Sequence, residues 1–281
     1  MIEIPEAIIL ANQMKAYLEG RVVDAVVANQ SPHKFAWFYG NPGNYPKQLV
    51  GRKVVGAKSV GGFVQLLFDE GYQLMFSEGV KLRFFQKEEK HPAKHQLLLT
   101  FDDETTLVAV VQMYGGLFCY KDNFCLESMA AYYQAALDKP GPLTEAFSFV
   151  YFKKLVLADE VIGKSVKAVL ATEQRIPGLG NGILQDILFG ASVHPKRKMK
   201  SLNEEELKCL YKSIKSTIHN MVVAGGRDTE SDLWGCKGGY KTKMSKNTVG
   251  KPCEVCGETI VKAAYMGGSV YFCPVCQSLE S

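Results

Sequence analysis

The sequence predicts an α+β protein: an N-terminal helix and an antiparallel β-sandwich or barrel, then a helical region, then a C-terminal metal-binding β-hairpin. Three observations predict this order. β-branched runs dominate the first half, apolar residues at helical spacing dominate the second, and two Cys-x-x-Cys pairs lie near the end. With 281 residues, of which 47% are hydrophobic and 22% charged, the chain can form one large core or two modest ones. We expect two.

The first element is a helix that starts near Pro5. Proline fits the first turn of a helix, where its missing N–H costs nothing. Apolar residues from Ile8 to Leu18 recur at roughly helical spacing, and Gly20 can end the helix.

Four β-rich segments follow, at residues 22–29, 52–60, 63–76 and 96–111. The last two contain the turn formers Asp-Glu-Gly and Asp-Asp-Glu-Thr, which indicate antiparallel hairpins. The segment at 140–147 is rich in proline and glycine, and it predicts a linker between this β region and the helices.

The helical region has clear start and stop signals. Ser201 and Glu204 predict a capping box, the apolar face from Leu207 to Met221 predicts a core-packing helix, and Gly225-Gly226 predicts its end. An earlier helical stretch, about 164–172, precedes the turn Arg-Ile-Pro-Gly-Leu-Gly-Asn-Gly at 175–182. Such a turn can bring a backbone close to a phosphate, and it can equally be an ordinary connection between helices.

The two Cys-x-x-Cys pairs consist of Cys253 with Cys256 and Cys273 with Cys276. Pairs at this separation let four thiolates converge on Zn²⁺ while a β-hairpin spans the gap. Four protein ligands leave no open coordination position. The pattern therefore predicts one structural zinc ion without a catalytic role.

Charge is unevenly distributed along the chain. From residue 150 onward there are 19 Lys and Arg against 13 Asp and Glu, although the whole chain carries only +4. A basic half suits a polyanion such as nucleic acid, and it can also be a solvated surface. There is neither a signal peptide nor an apolar run of roughly 18 residues, so we expect a cytoplasmic protein without a membrane partner.

Several motifs together resemble one family. They are MIEIPEA at the start, PGPLTEAF at the linker, PGLGNGILQDILFGASVHP in the helical region, and GKPCEVCG with YFCPVCQ at the end. In this order they resemble the bacterial formamidopyrimidine-DNA glycosylase and endonuclease VIII family of base-excision repair enzymes. The resemblance implies a β-sandwich domain at 1–135, a helix-two-turn-helix domain at 136–245 and a zinc finger at 246–281. It also implies a monomer that binds damaged or abasic duplex DNA between its domains in the bacterial cytosol or nucleoid.

The family's catalytic group is an N-terminal proline, exposed by removal of Met, whose amine attacks the sugar C1′ of a damaged nucleotide. Here Ile2 stands in the proline's place, followed by Glu3, Pro5 and Glu6 of the family pattern. We expect Met1 to be retained, because its removal normally requires a small second residue. The resemblance then leaves Met1, Glu3 and Glu6 as the candidate catalytic residues, with the amine displaced by roughly 3.5 Å of chain.

Other positions of the family pattern also differ. Glycine replaces the family's phosphate-binding lysine within residues 59–63. Glu78 lies in the loop where the family has a methionine that fills the gap left by the everted base. In the segment 110–115 both wedge arginines are absent, and Tyr114 keeps the aromatic bulk. Gly268 occupies the position of the zinc-finger arginine, which predicts one weakened phosphate contact. The resemblance assigns the remaining phosphate contact to Gly180 and Asn181.

Two segments have no assigned family role. Residues 225–253 carry Lys237, Lys241 and Lys243 among aromatic residues, a composition that suits unpaired bases or a flexible loop. Residues 31–42 are rich in aromatic side chains, which either bind a ligand or pack the sandwich.

Two functions remain open from the sequence. The first is a divergent DNA glycosylase and abasic-site lyase, with either the Met1 amine as nucleophile or Glu3 or Glu6 activating water. The second is a non-catalytic protein that binds DNA or structured RNA on the same scaffold.

Overall fold

The computed structural model describes residues 1–123 and 127–279, without the side chains of Glu127, Ser128 and Ala130. These residues form two compact units. Unit 1 comprises residues 1–135 and 230–238, and unit 2 comprises residues 136–229 and 239–281. The division into three domains at residues 135 and 245 stays a prediction.

Unit 1 contains three helices and nine strands among its described residues. Its helices are α1 (Ile4–Leu18), α2 (Tyr45–Leu49) and most of α3 (Glu127–Asp138), which continues past Ala135, the last residue of this part of unit 1. Its strands are β1 (Val23–Ala28), β2 (Ala36–Phe38), β3 (Val54–Val60), β4 (Phe63–Phe68), β5 (Tyr72–Phe76), β6 (Val80–Phe85), β7 (Leu97–Phe101), β8 (Thr106–Val111) and β9 (Gly115–Lys121).

The strands form two sheets, with the orders β1-β7-β8-β6 and β2-β9-β5-β4-β3. All neighbouring strands pair antiparallel except β2 and β9, which are parallel. One apolar cluster joins the two sheets and takes in Leu10, Met14 and Leu18 of α1. Runs of β-branched residues predicted most of these strands. The predicted antiparallel sandwich with a leading helix is confirmed.

Unit 2 contains the helical region and a β-hairpin. Its elements are α4 (Phe149–Val156), a π-helical turn (Ala168–Thr172), α5 (Asn181–Gly190), α6 (Glu204–Val223), β10 (Val261–Tyr265) and β11 (Gly268–Phe272). β10 and β11 pair antiparallel between the two cysteine pairs. The predicted helical region and the hairpin between the Cys-x-x-Cys pairs are therefore confirmed.

The predicted start of α6 was wrong by two residues. Its N-cap is Asn203, whose side chain accepts a hydrogen bond from the Glu206 N–H at 3.0 Å, and Glu206 completes the capping box. Ser201 instead belongs to a short 3-10 turn, where its hydroxyl donates to the Lys198 carbonyl at 2.9 Å. Asparagine and serine are both good N-caps, so the local pattern allowed either position.

Within residues 1–123 and 127–279, none of the helices has the length and apolar character needed to cross a membrane.

Candidate functional site

The start of α1 lies at a corner of unit 1. Pro5 occupies the first turn of α1, and Glu3 is its N-cap. Glu6 accepts a hydrogen bond from the Glu3 N–H at 3.3 Å, and the two residues form a capping box. Both carboxylates are buried. Acidic groups at a helix N-terminus interact favourably with its dipole, so the two candidate catalytic acids also stabilise the helix start.

Ile2, at the position of the family's proline, belongs to the core. Its side chain is buried in the apolar cluster of unit 1. Its nitrogen is a peptide nitrogen and donates to the Glu78 carbonyl at 2.7 Å. The α-amine of Met1, one residue earlier, forms an ion pair with Glu230. Met1 itself is 39% exposed.

Two turns of the sandwich meet the N-terminus here. They are residues 77–79 and 112–114, and we call them, with residues 1–3, the N-terminal corner. A Cβ on Gly79 would lie 1.5 Å from the Tyr114 carbonyl oxygen, so only glycine allows this approach. The Gln112 N–H also donates to the Gly79 carbonyl at 3.2 Å. The segments that the resemblance assigns to base replacement and to the wedge are thus packed together.

The chemistry of the N-terminal corner is acidic. The Tyr114 hydroxyl donates to Glu78 at 3.3 Å. Burial raises the pKa of the Tyr114 phenol, with a smaller contribution from the charges of Glu78 and Glu3. At neutral pH this residue is therefore a neutral donor. With the carboxylate of Glu230 beside Met1, the corner attracts cations more readily than phosphate.

The residues at the position of the family's phosphate-binding lysine lie in a tight turn. Gly61 and Gly62 connect β3 and β4, with Val60 paired to Phe63. Lys58 is exposed on β3 opposite Gln65.

The aromatic segment 31–42 is partly exposed. β2 is the edge strand of its sheet, and Phe35 and Trp37 are 45% and 44% exposed. The Trp37 ring lies 6.0 Å from the Tyr114 ring, and Met113 beside it is also exposed. Phe38 packs inward against the core. The segment therefore both packs the sandwich and presents rings to solvent.

Residues 230–238, which we call the strap, are part of unit 1. Leu233 is fully buried in the core, and its N–H donates to Gln13 at 3.0 Å. Trp234 packs edge-to-face on Tyr17 with ring centroids 4.6 Å apart. Lys237 is exposed on the strap. Part of the basic aromatic segment thus has a structural role.

The rest of that segment belongs to unit 2 and is anchored to α5. Asp186 is buried and accepts hydrogen bonds from the backbone N–H groups of Lys243 and Met244, at 3.0 and 2.8 Å. Burial raises the pKa of Asp186, and these hydrogen bonds oppose the rise. Lys241 is exposed, whereas the Lys243 ammonium pairs with Glu254. The assignment of Lys237, Lys241 and Lys243 to nucleic-acid binding stays a prediction.

The turn at 175–182 leads into α5. Gly180 is the N-cap of the helix and Asn181 its first residue. The Asn181 side chain donates to the Ser269 carbonyl at 2.9 Å, and Gln185 accepts from the Tyr271 N–H at 3.2 Å. Asn181 therefore fixes the hairpin strand β11 onto α5. Its role in phosphate binding, with Gly180, stays a prediction.

The four cysteines of the two Cys-x-x-Cys pairs come together. Their Sγ atoms all lie within 4.8 Å of one another. The Cys253–Cys276 and Cys256–Cys273 separations are 3.8 and 3.4 Å. Tetrahedral thiolates with Zn–S of about 2.3 Å would lie about 3.8 Å apart, so the donor set fits zinc.

Gln277 supports this cluster of cysteines. It is fully buried, accepts from the Cys273 N–H at 3.1 Å and donates to the Val193 carbonyl at 2.9 Å. Outer groups of this kind orient metal ligands. The position of Gln277 directly after Cys276 was the only sequence signal for it. By contrast, nothing in the sequence pointed to Glu230, which lies 229 residues from its partner Met1.

Comparison with known proteins places this geometry in a family. The model of the formamidopyrimidine-DNA glycosylase N-terminal domain matches residues 1–121, and the model of its H2TH domain matches residues 139–232. Formamidopyrimidine-DNA glycosylase from Listeria monocytogenes is 27% identical over 99% of this chain and its own full length. The Rickettsia bellii protein of the same name is 23% identical over 99% of both chains.

Solved structures share the fold. Lactococcus lactis Fpg, in complex with DNA containing an abasic site, matches with a TM-score of 0.82 and 21% identity over 98% of this chain and 99% of its own. The MutM (Fpg) protein of Thermus thermophilus matches with a TM-score of 0.79 and 24% identity over 98% of each chain. With the two domain models together matching most of its length, the chain belongs to the formamidopyrimidine-DNA glycosylase and endonuclease VIII family.

Proposed function

We propose that this protein binds damaged or abasic duplex DNA as a base-excision repair protein without using the family's amine nucleophile. Support for DNA as the ligand comes from family membership and from the Lactococcus lactis relative, which was solved with abasic-site DNA. The excess of basic residues after residue 150 suits the same ligand.

The observation that carries the proposal is the chemical form of the Ile2 backbone nitrogen. A nucleophilic amine needs a free lone pair, and the Ile2 nitrogen is an amide that donates to the Glu78 carbonyl. The buried Ile2 side chain fixes this position. Glu3 and Glu6, which could activate water, take part in the capping box of α1.

A second candidate function is an abasic-site lyase that uses the Met1 α-amine. The exposure of Met1 favours it, as does the neighbouring Glu230 carboxylate, which can accept a proton from the amine. In that reaction the amine lone pair would attack C1′ of the ring-opened sugar. The carbonyl oxygen on C1′ would leave as water with the two protons of the amine, giving an imine before strand cleavage.

Borohydride trapping separates these two functions. The protein is incubated with an abasic-site duplex and sodium borohydride, beside a bacterial formamidopyrimidine-DNA glycosylase as positive control. The proposal expects salt-sensitive binding without a covalent adduct or strand scission. An adduct that disappears when the N-terminal amine is acetylated would establish the lyase instead. On a second duplex that still carries a damaged base, base release without an adduct would indicate water activation. Intact mass shows whether Met1 is present.

The ligand class is tested in parallel. Competition between an abasic duplex, an undamaged duplex and an RNA hairpin should rank the abasic duplex first. Preference for the hairpin would contradict DNA as the ligand and support structured RNA. We also propose that the four cysteines hold one structural zinc ion, which orders the hairpin of β10 and β11 and has no position open for substrate.

A further inference from the structure

Two aromatic rings at the edge of unit 1 have faces open to a ligand. Trp37 is 44% exposed, and its ring lies against Tyr114 with centroids 6.0 Å apart. Across the described part of the chain, no lysine or arginine lies over either ring, whereas Lys34 lies 5.3 Å from the centre of the neighbouring Phe35 ring. Met113, next to Tyr114 in the chain, is also exposed. An open ring face can stack on a planar ligand and can attract a positive charge.

Carboxylates lie at the polar end of Tyr114. Its hydroxyl donates to Glu78 at 3.3 Å, and the charge of Glu3 also acts on the phenol. Glu230 lies at the same corner, where it pairs with the Met1 amine. The described residues therefore bring three carboxylates and one ammonium group together here. Tyr114 connects this negative charge to the exposed ring of Trp37.

The rings and the carboxylates together favour a ligand that is both planar and cationic. The carboxylates would repel a phosphate, and a neutral base would gain only the stacking energy. A base with a positive charge would gain from stacking on Trp37, from the ring's negative face and from the charge of Glu78. Alkylation at a ring nitrogen gives a purine base such a charge.

We propose that the N-terminal corner, together with Trp37 and Glu230, recognises a nucleobase that carries a positive charge, namely a purine alkylated at a ring nitrogen. This inference rests on the proposed function, since it names the class of damage in the DNA that the protein binds. All the residues on which it depends belong to unit 1.

Two duplexes that differ in this charge test the inference. One contains a single 7-methylguanine, with a 2′-fluorine on its sugar that keeps the glycosidic bond intact. The other is the same duplex after mild alkali has opened the imidazole ring, which removes the positive charge and keeps the methyl group. Affinities are measured by fluorescence anisotropy at slightly acid pH, where the methylated base stays cationic. The wild type should bind the cationic duplex about tenfold more tightly, as one desolvated cation–ring contact predicts.

Glu78→Gln tests the carboxylate, with the exposed Glu19→Gln at the end of α1 as its matched control. The new amide oxygen can still accept from the Tyr114 hydroxyl. The variant should bind the cationic duplex about threefold less tightly, since one charge contact is lost. It should bind an undamaged duplex at least as tightly as the wild type, because a charge that repels phosphate is gone. A general loss of structure would weaken both, and Glu19→Gln should change neither.

Trp37→Leu tests the ring. It should remove most of the preference for the cationic duplex, whereas Trp37→Phe, which keeps an aromatic face, should retain part of it. A wild type without this preference, or a preference that survives Glu78→Gln or Trp37→Leu in full, overturns the inference.

A free nucleoside separates this inference from the proposed function. Without DNA, 7-methylguanosine should quench the emission of Trp37 in the Trp234→Phe background more strongly than guanosine does. That result in a protein that binds no duplex would sustain the recognition of a cationic base and overturn the proposed function. Binding of an abasic duplex, with no preference for the cationic duplex or nucleoside, would sustain the proposed function and overturn this inference.

Discussion

The strap offers the sharpest test of how the basic aromatic segment is used. Leu233 has no exposed surface and lies in the core of unit 1. The strap is also attached by its backbone, since the Phe84 N–H donates to the Leu233 carbonyl at 2.8 Å. Leu233→Ala removes the buried side chain and keeps the backbone hydrogen bonds.

The expected loss follows from this burial. Truncation of a fully buried leucine to alanine costs about 2–5 kcal/mol, depending on how far the cavity collapses. The remaining backbone bonds hold the strap in place and limit collapse, so we expect about 3 kcal/mol. With a urea m-value of about 2 kcal/mol/M, the midpoint should fall by about 1.5 M.

Trp234 gives a local readout of this change. The chain has two tryptophans, and Trp37→Phe leaves Trp234 on the strap as the only tryptophan, which can be excited selectively over the tyrosines. Urea unfolding is followed by its emission in that background, with and without Leu233→Ala. Val55→Ala is the control, because Val55 lies in unit 1 and is half exposed. A midpoint change no larger than that of the control would refute the packing of the strap.

Three further predictions address the metal, pH and the exposed rings. Elemental analysis should find one equivalent of zinc in the wild type and none in Cys273→Ser, and the variant should have a lower Tm, because metal binding is coupled to folding of the finger. The hydrogen bond from Arg197 is the main reason that the pKa of Glu206 is lowered. The associated stability should be present above about pH 4.3 and lost as pH falls through the lower folded pKa, and Glu206→Gln should flatten that acid limb in thermal melts. Emission of Trp37, isolated by Trp234→Phe, should be quenched by an abasic duplex if the exposed ring meets DNA; unchanged emission at saturation would place it outside the interface.

Much of the fold was predictable because it depends on local patterns. β-branched runs marked the strands around residues 22–29 and 96–111, and Pro5 marked the start of α1. β2, β6 and β9 were missed. Since β2 has three residues and pairs parallel with a strand far along the chain, its sequence contains no hairpin signal.

The site was predictable where the spacing of residues in the sequence fixes their positions in space. Two Cys-x-x-Cys pairs imply four thiolates at one point, and the four Sγ atoms do come together. The capping box of α6 was misplaced because serine and asparagine compete as N-caps two residues apart.

The sequence by itself determined the family, the sandwich, the cluster of four cysteines and the replacement of the N-terminal proline by Ile2, since each depends on adjacent or regularly spaced residues. Only the tertiary structure decided that Met1 pairs with Glu230, that Leu233 belongs to the first unit, and that Asn181 fixes β11 onto α5. The residues in these contacts lie 88 to 229 positions apart in the sequence, and no local pattern encodes such contacts. Chain folding brings them together, because burying apolar surface fixes which distant segments meet.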